Sequence, residues 1–395
     1  MQTKLVIILF LLAAFFAKSQ VEVGASRFDE YIGEIQGKKV GLVGNHTTQV
    51  NQTHLVDTLL AQGVEVKKLF SPEHGFRGDA EAGAQIDHNK DPKTGLPIIS
   101  LYGEDKKPKP QHLEDLDYMI FDIQDVGCRF YTYISTLHYV MEACAENNVP
   151  IMVLDRPNPN GFYIGGPVLD EDFQSFAGMH PVPIVYGMTI GEYAKMINGE
   201  KWLNYTHDTL YELPIAPSPN LPNMDAIYLY PSLCLFEGTY VSVGRGTDHP
   251  FQVIGKPEFE DGNYTFQPKS IEGVAESPKY EGQTCQGFKL NKFCHQFILP
   301  SGELYLYWLT GFYQAADNKN EFFNSYFDKL AGTDQLRKQI ENGTSVEDIK
   351  KSWENDLQAF KKTRKQYLLY EDFTKRNRPG QHFMINVEEE TGNNE

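Results

Sequence analysis

The 395-residue sequence has few cysteines and lacks the short motifs that mark several large enzyme classes. Its five cysteines are widely spaced and contain no C-x-x-C pair, so neither a disulfide framework nor a structural zinc site is indicated; Cys285 and Cys294 could bridge within one loop segment. There is no G-x-x-x-x-G-K-[ST], no G-x-S-x-G, no H-E-x-x-H, and no G-x-G-x-x-G after the first predicted strand. We therefore expect no metal and no cofactor.

Positive charge is also scarce. The chain has 36 lysines and arginines against 53 aspartates and glutamates, a formal net charge of −17. Nucleic acids and anionic membranes repel such a chain, so we expect no nucleic-acid partner. An acidic ligand would need a local basic pocket.

Long apolar runs are missing beyond the N-terminus. The first residues combine Lys4, thirteen apolar residues at 5–17, and the small-x-small pattern Ala17-Lys18-Ser19. This pattern predicts a signal peptide over residues 1–19 and export to the periplasm or outside the cell. The alternative is an uncleaved membrane anchor, but the run is short for a bilayer core of about 30 Å. After cleavage no stable membrane insertion is expected.

Short apolar runs alternate with helical patterns in the first half of the chain. Runs that are apolar throughout are typical of parallel strands buried on both faces. The sequence thus predicts an α/β fold, a Rossmann-like, doubly wound, mostly parallel sheet with a second, smaller α+β C-terminal domain. The predicted strands are 39–45, 65–72, 96–103, 117–125 and 149–157, and the predicted helices are 54–63, 133–148, 189–200, 302–316, 319–331 and 345–367. The predicted domains are 20–165 (Rossmann-like, catalytic) and 166–385 (closing a cleft), followed by an acidic tail at 386–395.

Polar residues follow four of the five predicted strands. In an open parallel sheet, ligands bind in the crevice beyond the carboxyl ends of the strands. One polar residue alone would indicate only a turn, but four polar strand ends at one edge predict a site. In chain order the candidates are Asn45; Glu73, His74 and Arg77; Asp122, Gln124, Asp125 and Arg129; and Asp155, Arg156 and Asn158.

The stretch "SPEHGFRG" suggests the chemistry. Glu73 lies on a glycine-flanked loop, and a carboxyl group held against apolar surface keeps its proton and can act as a general acid. Hydrolysis of a glycosidic bond needs such an acid and a second group. The 22 tyrosines and 25 phenylalanines, among them those of "RFYTY" (129–133), offer ring faces for sugars. Alternatively, Glu73 forms a surface ion pair with Arg77, and His74 either orients the acid or is a structural histidine.

Five motifs, in order, resemble the exo-β-N-acetylmuramidases of the NamZ type. They are "SPEHGFRGDAEAG", "FDIQDVGCRFYTY", "DRPNPNGFYIGGPVLDEDFQSFAGMHPVPIVYGMTIGE", "SPNLP" and "LYPSLCLFEGTYVSVGRGTDHPFQVIG". The resemblance implies exo-cleavage of β-1,4-linked N-acetylmuramic acid from non-reducing ends of peptidoglycan fragments, in a cleft between a Rossmann-like domain and a smaller C-terminal domain.

The resemblance also implies roles for individual residues. Glu73 is the implied acid/base, and Asn220, Arg245 and Thr247 join the strand-end residues as substrate contacts. The lactyl carboxylate of N-acetylmuramic acid suits an arginine fork. The candidate arginines are Arg77, Arg129, Arg156 and Arg245, each of which could instead pair with a nearby aspartate.

The second catalytic group stays open at this point. Some members of the family carry a glutamate before the Gly-Pro pair that is Gly166-Pro167 here, whereas this chain has Gly165. Asp125 or Glu171 could replace that glutamate, the substrate's 2-acetamido group could act as internal nucleophile, or the chain is a specialised or weakened member. A non-catalytic sugar- or muropeptide-binding protein is the alternative function. An esterase or amidase is less favoured because no nucleophile elbow or metal-ligand spacing occurs.

Overall fold

The computed structural model describes residues 21–72, 75–77, 90–103, 105–198, 207–208 and 210–374. The strands of the first half are β1 (Lys39–Gly44), β2 (Gln49–Val50), β3 (Thr53–His54), β4 (Glu65–Ser71), β5 (Ile98–Ser100), β6 (Tyr118–Asp122) and β7 (Ile151–Val153). Strands β2 and β3 form a small hairpin. The other five form a parallel sheet in the order β5-β4-β1-β6-β7. The chain thus starts at the centre and winds outward in both directions, so the predicted Rossmann-like, doubly wound sheet is confirmed.

Helices cover both faces of this sheet. They are α1 (Phe28–Ile35), α2 (Leu55–Ala61), α3 (Pro110–Leu113) and α4 (Tyr133–Glu146). Successive strand residues point to opposite faces. The strand side chains on one face pack with buried residues of α1 and α2; they include Val40, Leu42, Leu69 and Ile120. The other packs with α3 and α4, and includes Val43, Phe70, Met119 and Phe121. Burial on both faces explains the unbroken apolar runs of the sequence.

The middle of the chain adds a hairpin and two helices. Strands β8 (Gly165–Val168) and β9 (Pro183–Val185) are antiparallel, α5 (Ile190–Asn198) packs on α4 and β7, and α6 is Met224–Leu233. Five prolines between residues 214 and 231 would favour a loop around α6. Helix α6 begins after Asn223, whose side chain caps it. Pro231 inside the helix has no N–H to donate to the carbonyl of Ile227. The Asn160 amide donates to that carbonyl instead, at 3.2 Å.

The C-terminal part mixes a small sheet with helices. Strands β10 (Val253–Lys256), β11 (Tyr264–Phe266) and β12 (Cys285–Lys289) form an antiparallel sheet in the order β10-β12-β11. The helices are α7 (Asn291–Phe293), α8 (Leu299–Ser301), α9 (Tyr307–Gln314), α10 (Phe327–Ala331), α11 (Gln335–Glu341), α12 (Val346–Ser352) and α13 (Glu354–Arg364), with a π-helical turn (Cys294–Ile298) between α7 and α8. Short 3₁₀ turns are Gly24–Ser26, Glu171–Phe173, Cys234–Gly238 and Lys319–Glu321.

The two parts share a hydrophobic core. A single cluster of buried residues runs from Val43 and Phe121 in the sheet to Phe236, Leu309 and Ile349 in the C-terminal helices. The α+β character of the second part is confirmed, whereas the predicted boundary at residue 165 stays a prediction. All five cysteines are buried free thiols, so Cys285 and Cys294 are not bridged.

Some predictions fall outside the described residues. The signal peptide at 1–19 and the acidic tail at 386–395 are among them, as are Glu73 and His74. Within the described ranges, no helix is both long and apolar enough to cross a membrane.

Candidate active site

The turn after β1 is tied to the turn after β6, at the point where the strand order reverses. Thr47 donates to the Asn45 carboxamide oxygen from its backbone N–H (2.9 Å) and its hydroxyl (2.6 Å). The Gln124 N–H donates to the Thr47 hydroxyl at 3.1 Å, and the Thr48 hydroxyl donates to the Asp122 carbonyl. The predicted meeting of strand ends therefore occurs, and these turns form a rigid base.

Asn45 also fixes an aromatic ring. It is fully buried, and its Nδ2 donates to the hydroxyl of Tyr133, the first residue of α4, at 3.0 Å. Two edge-to-face aromatic contacts extend from this point, between the rings of Tyr133 and Tyr131 (5.0 Å) and between those of Tyr131 and Tyr230 (5.9 Å). The predicted substrate contact Asn45 thus has an observed role in positioning Tyr133.

Asp122 and Arg156 form a buried ion pair. The guanidinium donates from Nε (2.5 Å) and Nη2 (2.8 Å) to the two carboxylate oxygens, and Nη2 also reaches the Gln49 carbonyl at 3.3 Å. The amide of Gln124 donates to the carbonyls of Asp125 (2.8 Å) and Pro157 (2.7 Å). Because these groups bind one another, the structure favours supporting roles for Asp122, Gln124 and Arg156 over the predicted substrate contacts.

Asp125 is an enclosed acid. Its Oδ2 accepts from the Gly127 N–H at 2.6 Å and from the Tyr186 hydroxyl, while Oδ1 has no hydrogen-bond partner among the described residues. Burial raises the pKa of Asp125 to about 7, although those two hydrogen bonds oppose the rise. Asp125 lines none of the cavities whose walls are described here, so this acid of raised pKa is enclosed.

Asp155 and Asn158 connect the sheet to α5. Asp155 accepts from the Gly191 N–H (2.7 Å) and from the hydroxyls of Thr189 and Tyr370 (2.7 Å each). Burial raises the pKa of Asp155 to about 6. The Asn158 amide donates to the Met188 carbonyl at 2.7 Å. These contacts stabilise the fold and give neither residue an observed role at a cavity wall.

Gly127 is required beside Asn158. It has a φ of +75°, and a Cβ added there would lie 2.2 Å from the Asn158 Oδ1. No side chain fits at this point, which gives the glycine of "DVG" a structural reason.

Two predicted substrate-binding arginines are held elsewhere. Arg129 is fully buried and donates to four main-chain carbonyls, including those of Val182 (2.7 Å) and Ala331 (2.6 Å). Arg77 donates to Asp91 (2.9 Å) and Asp57 (3.2 Å). Neither residue lines a described cavity, so substrate contact by Arg77 and Arg129 stays a prediction.

Arg245 has a different environment. It lines a cavity of about 190 Å³, called the aromatic cavity here, whose walls include Thr132, Tyr133, Asn220, Glu237, Phe251 and Tyr326. Its Nε donates to Glu237 at 2.9 Å, and its guanidinium lies 5.1 Å from the centre of the Phe251 ring. The two terminal nitrogens have no protein partner among the described residues. A fork of donors therefore remains available to a ligand.

Hydrogen bonds from Lys279 and Asn220 fix the chain segments around Arg245. The half-buried Lys279 side chain donates from its ammonium to the carbonyls of Phe236 (2.9 Å), Thr239 (2.7 Å) and Val241 (3.2 Å), around Glu237. Burial lowers the pKa of Lys279. The Asn220 amide donates to the Val274 carbonyl at 2.9 Å. These contacts hold in place the chain segments that present Glu237 and Arg245.

Thr247 and Glu171 lie outside this cavity wall. The Thr247 hydroxyl donates to the Gly244 carbonyl at 2.7 Å and so closes the glycine-rich turn that carries Arg245. Glu171 is exposed on the 3₁₀ turn Glu171–Phe173. Among the described residues, no group of three or more His, Cys, Asp or Glu side chains is arranged to hold a metal ion.

Comparison with known proteins gives the family. The model of the N-terminal domain of exo-beta-N-acetylmuramidase NamZ matches residues 40–225, and that of its C-terminal domain matches residues 228–370. The chain belongs to the NamZ family.

Individual relatives agree with this family. The peptidoglycan beta-N-acetylmuramidase NamZ of Bacillus subtilis (strain 168) is 40% identical over 387 residues, which cover 89% of this chain and 92% of the relative. Two crystal structures of DUF1343 family proteins from Bacteroides fragilis NCTC 9343 are similar. One has 46% identity and a TM-score of 0.82, covering 90% of this chain and 100% of that one; the other has 29% identity and a TM-score of 0.70, covering 89% and 99%.

The residues that sequence reasoning missed in this NamZ-family chain are those that hold others in place. Tyr133, Tyr186 and Lys279 fix Asn45, Asp125 and the segment around Glu237, respectively. Tyr133 and Tyr186 lie inside motifs that the family resemblance used, so motif membership was the available signal. Nothing local marked Lys279, whose partners lie about 40 residues earlier in the chain.

Proposed function

We propose that this protein is an exo-acting glycoside hydrolase that releases terminal β-1,4-linked N-acetylmuramic acid from non-reducing ends of peptidoglycan fragments. The observation that carries the proposal is the ordered match of both NamZ domains across residues 40–225 and 228–370. The 40% identity to a peptidoglycan beta-N-acetylmuramidase supports the same activity.

The aromatic cavity supports a muramyl substrate. N-acetylmuramic acid differs from N-acetylglucosamine by its lactyl carboxylate, which the unpaired donors of Arg245 would bind as a fork. The rings of Tyr133, Phe251 and Tyr326 line the same cavity and offer apolar surface to a sugar ring. In a protein of net charge −17, this local cation gives an anionic sugar a place to bind.

Glu73 is the proposed general acid, on the strength of its motif. Strand β4 ends at Ser71, between β1 and β5, at the edge where the other strand ends meet. A general acid must keep its proton until the leaving-group oxygen accepts it. His74, the next residue, is the proposed partner that orients it.

The second group of the reaction is proposed to be the substrate's own 2-acetamido group. Asp125 is enclosed and Glu171 is exposed on a surface turn, and neither lines a described cavity. An internal nucleophile needs no second carboxylate in contact with the sugar, as in other substrate-assisted glycosidases. This route would also explain why Gly165 is tolerated.

Export is part of the proposal. The charged and apolar leader at 1–19 would direct the chain out of the cytoplasm. Export would bring it to the cell wall, where peptidoglycan fragments arise. Mass spectrometry of protein from the native host should find a mature N-terminus near residue 20, whereas an intact leader would contradict export by cleavage.

The function is tested with Glu73→Gln on the disaccharide MurNAc–GlcNAc, whose sugar leaving group needs a proton from the acid. Loss of a general acid lowers kcat by about 10²–10⁴-fold. Glu65→Gln is the matched control, because Glu65 is an exposed glutamate of β4 whose ion-pair partner among the described residues is Lys67, at 3.3 Å. Full activity in Glu73→Gln would refute the assignment of the acid. Binding without turnover by the wild type would instead indicate a sugar-binding protein.

A further inference from the structure

A second cavity adjoins the aromatic cavity. It has a volume of about 350 Å³ and is called the lysine cavity here; its walls include Tyr102, Lys106, Thr132, Phe176, Tyr326 and Lys329. Thr132 and Tyr326 also line the aromatic cavity, so the two spaces are separated by shared side chains. Tyr102 follows β5, at the same edge of the sheet as the predicted strand-end residues.

The lysine cavity has an aromatic platform that is held in place. Ser175 and Gly178 exchange two main-chain hydrogen bonds of 2.9 Å, which fix the tight turn that presents Phe176. The Phe176 ring stacks on Tyr139 of α4, with centroids 6.2 Å apart and planes at 10°. The Lys106 ammonium lies 5.1 Å from the centre of the Phe176 ring.

Among the described residues, no carboxylate pairs with the two lysines of this cavity. Two acidic residues adjacent to them in the sequence form ion pairs with other side chains: Asp105 binds Lys109 at 2.7 Å, and Asp328 binds Arg337 at 2.9 Å. In a chain with 53 acidic residues and 36 basic ones, two such cations beside an aromatic ring favour an anionic ligand with apolar surface.

We propose that the lysine cavity is a distal subsite that binds the carboxylate of the next muramyl residue of the glycan, two sugars beyond the bond that is cut. The inference rests on the proposed function. An exo-hydrolase holds the terminal sugar in one pocket, and the rest of the glycan leaves it past the shared wall of Thr132 and Tyr326. Every second sugar of that remainder carries a lactyl carboxylate, either free or extended by an acidic stem peptide. Lys106 and Lys329 bind this anion, and Phe176 and Tyr326 contact its sugar ring.

Comparison of two substrates tests the subsite. The disaccharide MurNAc–GlcNAc ends before the lysine cavity, whereas the tetrasaccharide MurNAc–GlcNAc–MurNAc–GlcNAc reaches it. Two exposed ion pairs together are worth about 2- to 30-fold in affinity. In Lys106→Gln with Lys329→Gln we therefore expect kcat/KM for the tetrasaccharide to fall about tenfold, and kcat/KM for the disaccharide to change by less than about twofold.

Two controls separate charge from structure. Lys106→Arg with Lys329→Arg keeps both cations and should restore most of the tetrasaccharide rate, and raising the salt concentration should reduce the wild-type preference for the longer substrate. Lys362→Gln removes an exposed lysine of α13 and should leave both substrates unaffected.

The source of the carboxylate is distinguished by two further tetrasaccharides, one with the inner lactyl group as carboxamide and one with it extended by the stem peptide. If both modified tetrasaccharides lose the rate advantage over the disaccharide, the lysine cavity binds the lactyl carboxylate. If the peptide-bearing tetrasaccharide keeps that advantage, the cavity binds a carboxylate of the stem peptide. Equal rates for the carboxamide and the free acid would overturn the inference, as would an equal fall on the disaccharide. Hydrolysis of neither substrate by the wild type would overturn the proposed function and the subsite together.

Discussion

Replacement of Arg245 by lysine tests the proposed recognition of the lactyl group. The substitution keeps a positive charge but removes the fork, because a lysine ammonium presents one compact donor group in place of two parallel N–H bonds. In the wild type, Nε is held by Glu237 at 2.9 Å, so the two terminal nitrogens are the donors that the substitution removes.

The expected magnitude follows from the exposure of the side chain. A hydrogen bond to a charged group is worth about 1.5–3 kcal/mol, which corresponds to about 10- to 150-fold in affinity. The Arg245 side chain is 35% exposed, so solvent screening places the effect at the lower end. We expect affinity for N-acetylmuramic acid to fall about 10- to 30-fold in Arg245→Lys, whereas affinity for N-acetylglucosamine changes by less than about twofold.

Isothermal titration calorimetry with the two monosaccharides measures this difference. Arg337→Lys is a matched control, since Arg337 is a partly exposed arginine paired with Asp328 and is not part of the aromatic cavity wall. An equal loss of affinity for both sugars would show that Arg245 supports the cavity without reading the lactyl group. No loss for either would refute the reasoning.

Three further predictions concern the buried groups around the site. In the wild type the pKa of Asp125 is about 7 in the folded state and about 4 in the unfolded state, so between these pH values the free energy of unfolding falls with rising pH by up to ~1.4 kcal/mol per pH unit. Asp125→Asn removes this contribution, so the pH dependence of the free energy of unfolding should flatten. Urea denaturation at several pH values measures it, and an unchanged pH dependence in the variant would contradict the prediction. Arg129→Met removes the side-chain donors of four carbonyls, of which Val182 keeps the Leu169 N–H, and should lower the free energy of unfolding by more than about 3 kcal/mol. Arg129→Lys should recover part of this loss, and an unchanged free energy of unfolding in Arg129→Met would contradict the prediction. Tyr133→Phe removes the acceptor of the buried Asn45 amide and should cost about 1–3 kcal/mol, whereas an unchanged midpoint would show that this hydrogen bond carries no stability.

The sheet could be predicted from the sequence because its signal is local. Strands buried on both faces, such as β1 and β6, give unbroken apolar runs, and the helix-period pattern of α4 spans many residues. The α+β character of the C-terminal part was predicted, but the individual strands β10, β11 and β12 were not. These short strands carry glycine and polar residues without a clear alternation. Helix α6 was missed because its interior proline is compensated by Asn160, a residue far away in the sequence.

The candidate site could be predicted as a location but not as a set of roles. The motifs placed polar groups at the strand ends, and those ends do meet. Whether an arginine binds substrate or the fold depends on partners that no local pattern shows. Arg129 contacts a carbonyl 202 residues away, and Arg156 pairs with an aspartate 34 residues earlier. Arg245 lines a cavity, and among the described residues its partner, Glu237, leaves two of its donors unused.

The direct test of the central claim is hydrolysis of two isomeric disaccharides. The purified mature chain is incubated with MurNAc–GlcNAc and, separately, with GlcNAc–MurNAc, and free sugars are followed by mass spectrometry. The proposed exo-muramidase releases N-acetylmuramic acid from the first and leaves the second intact. Release from the second alone, or from neither, would contradict the claim.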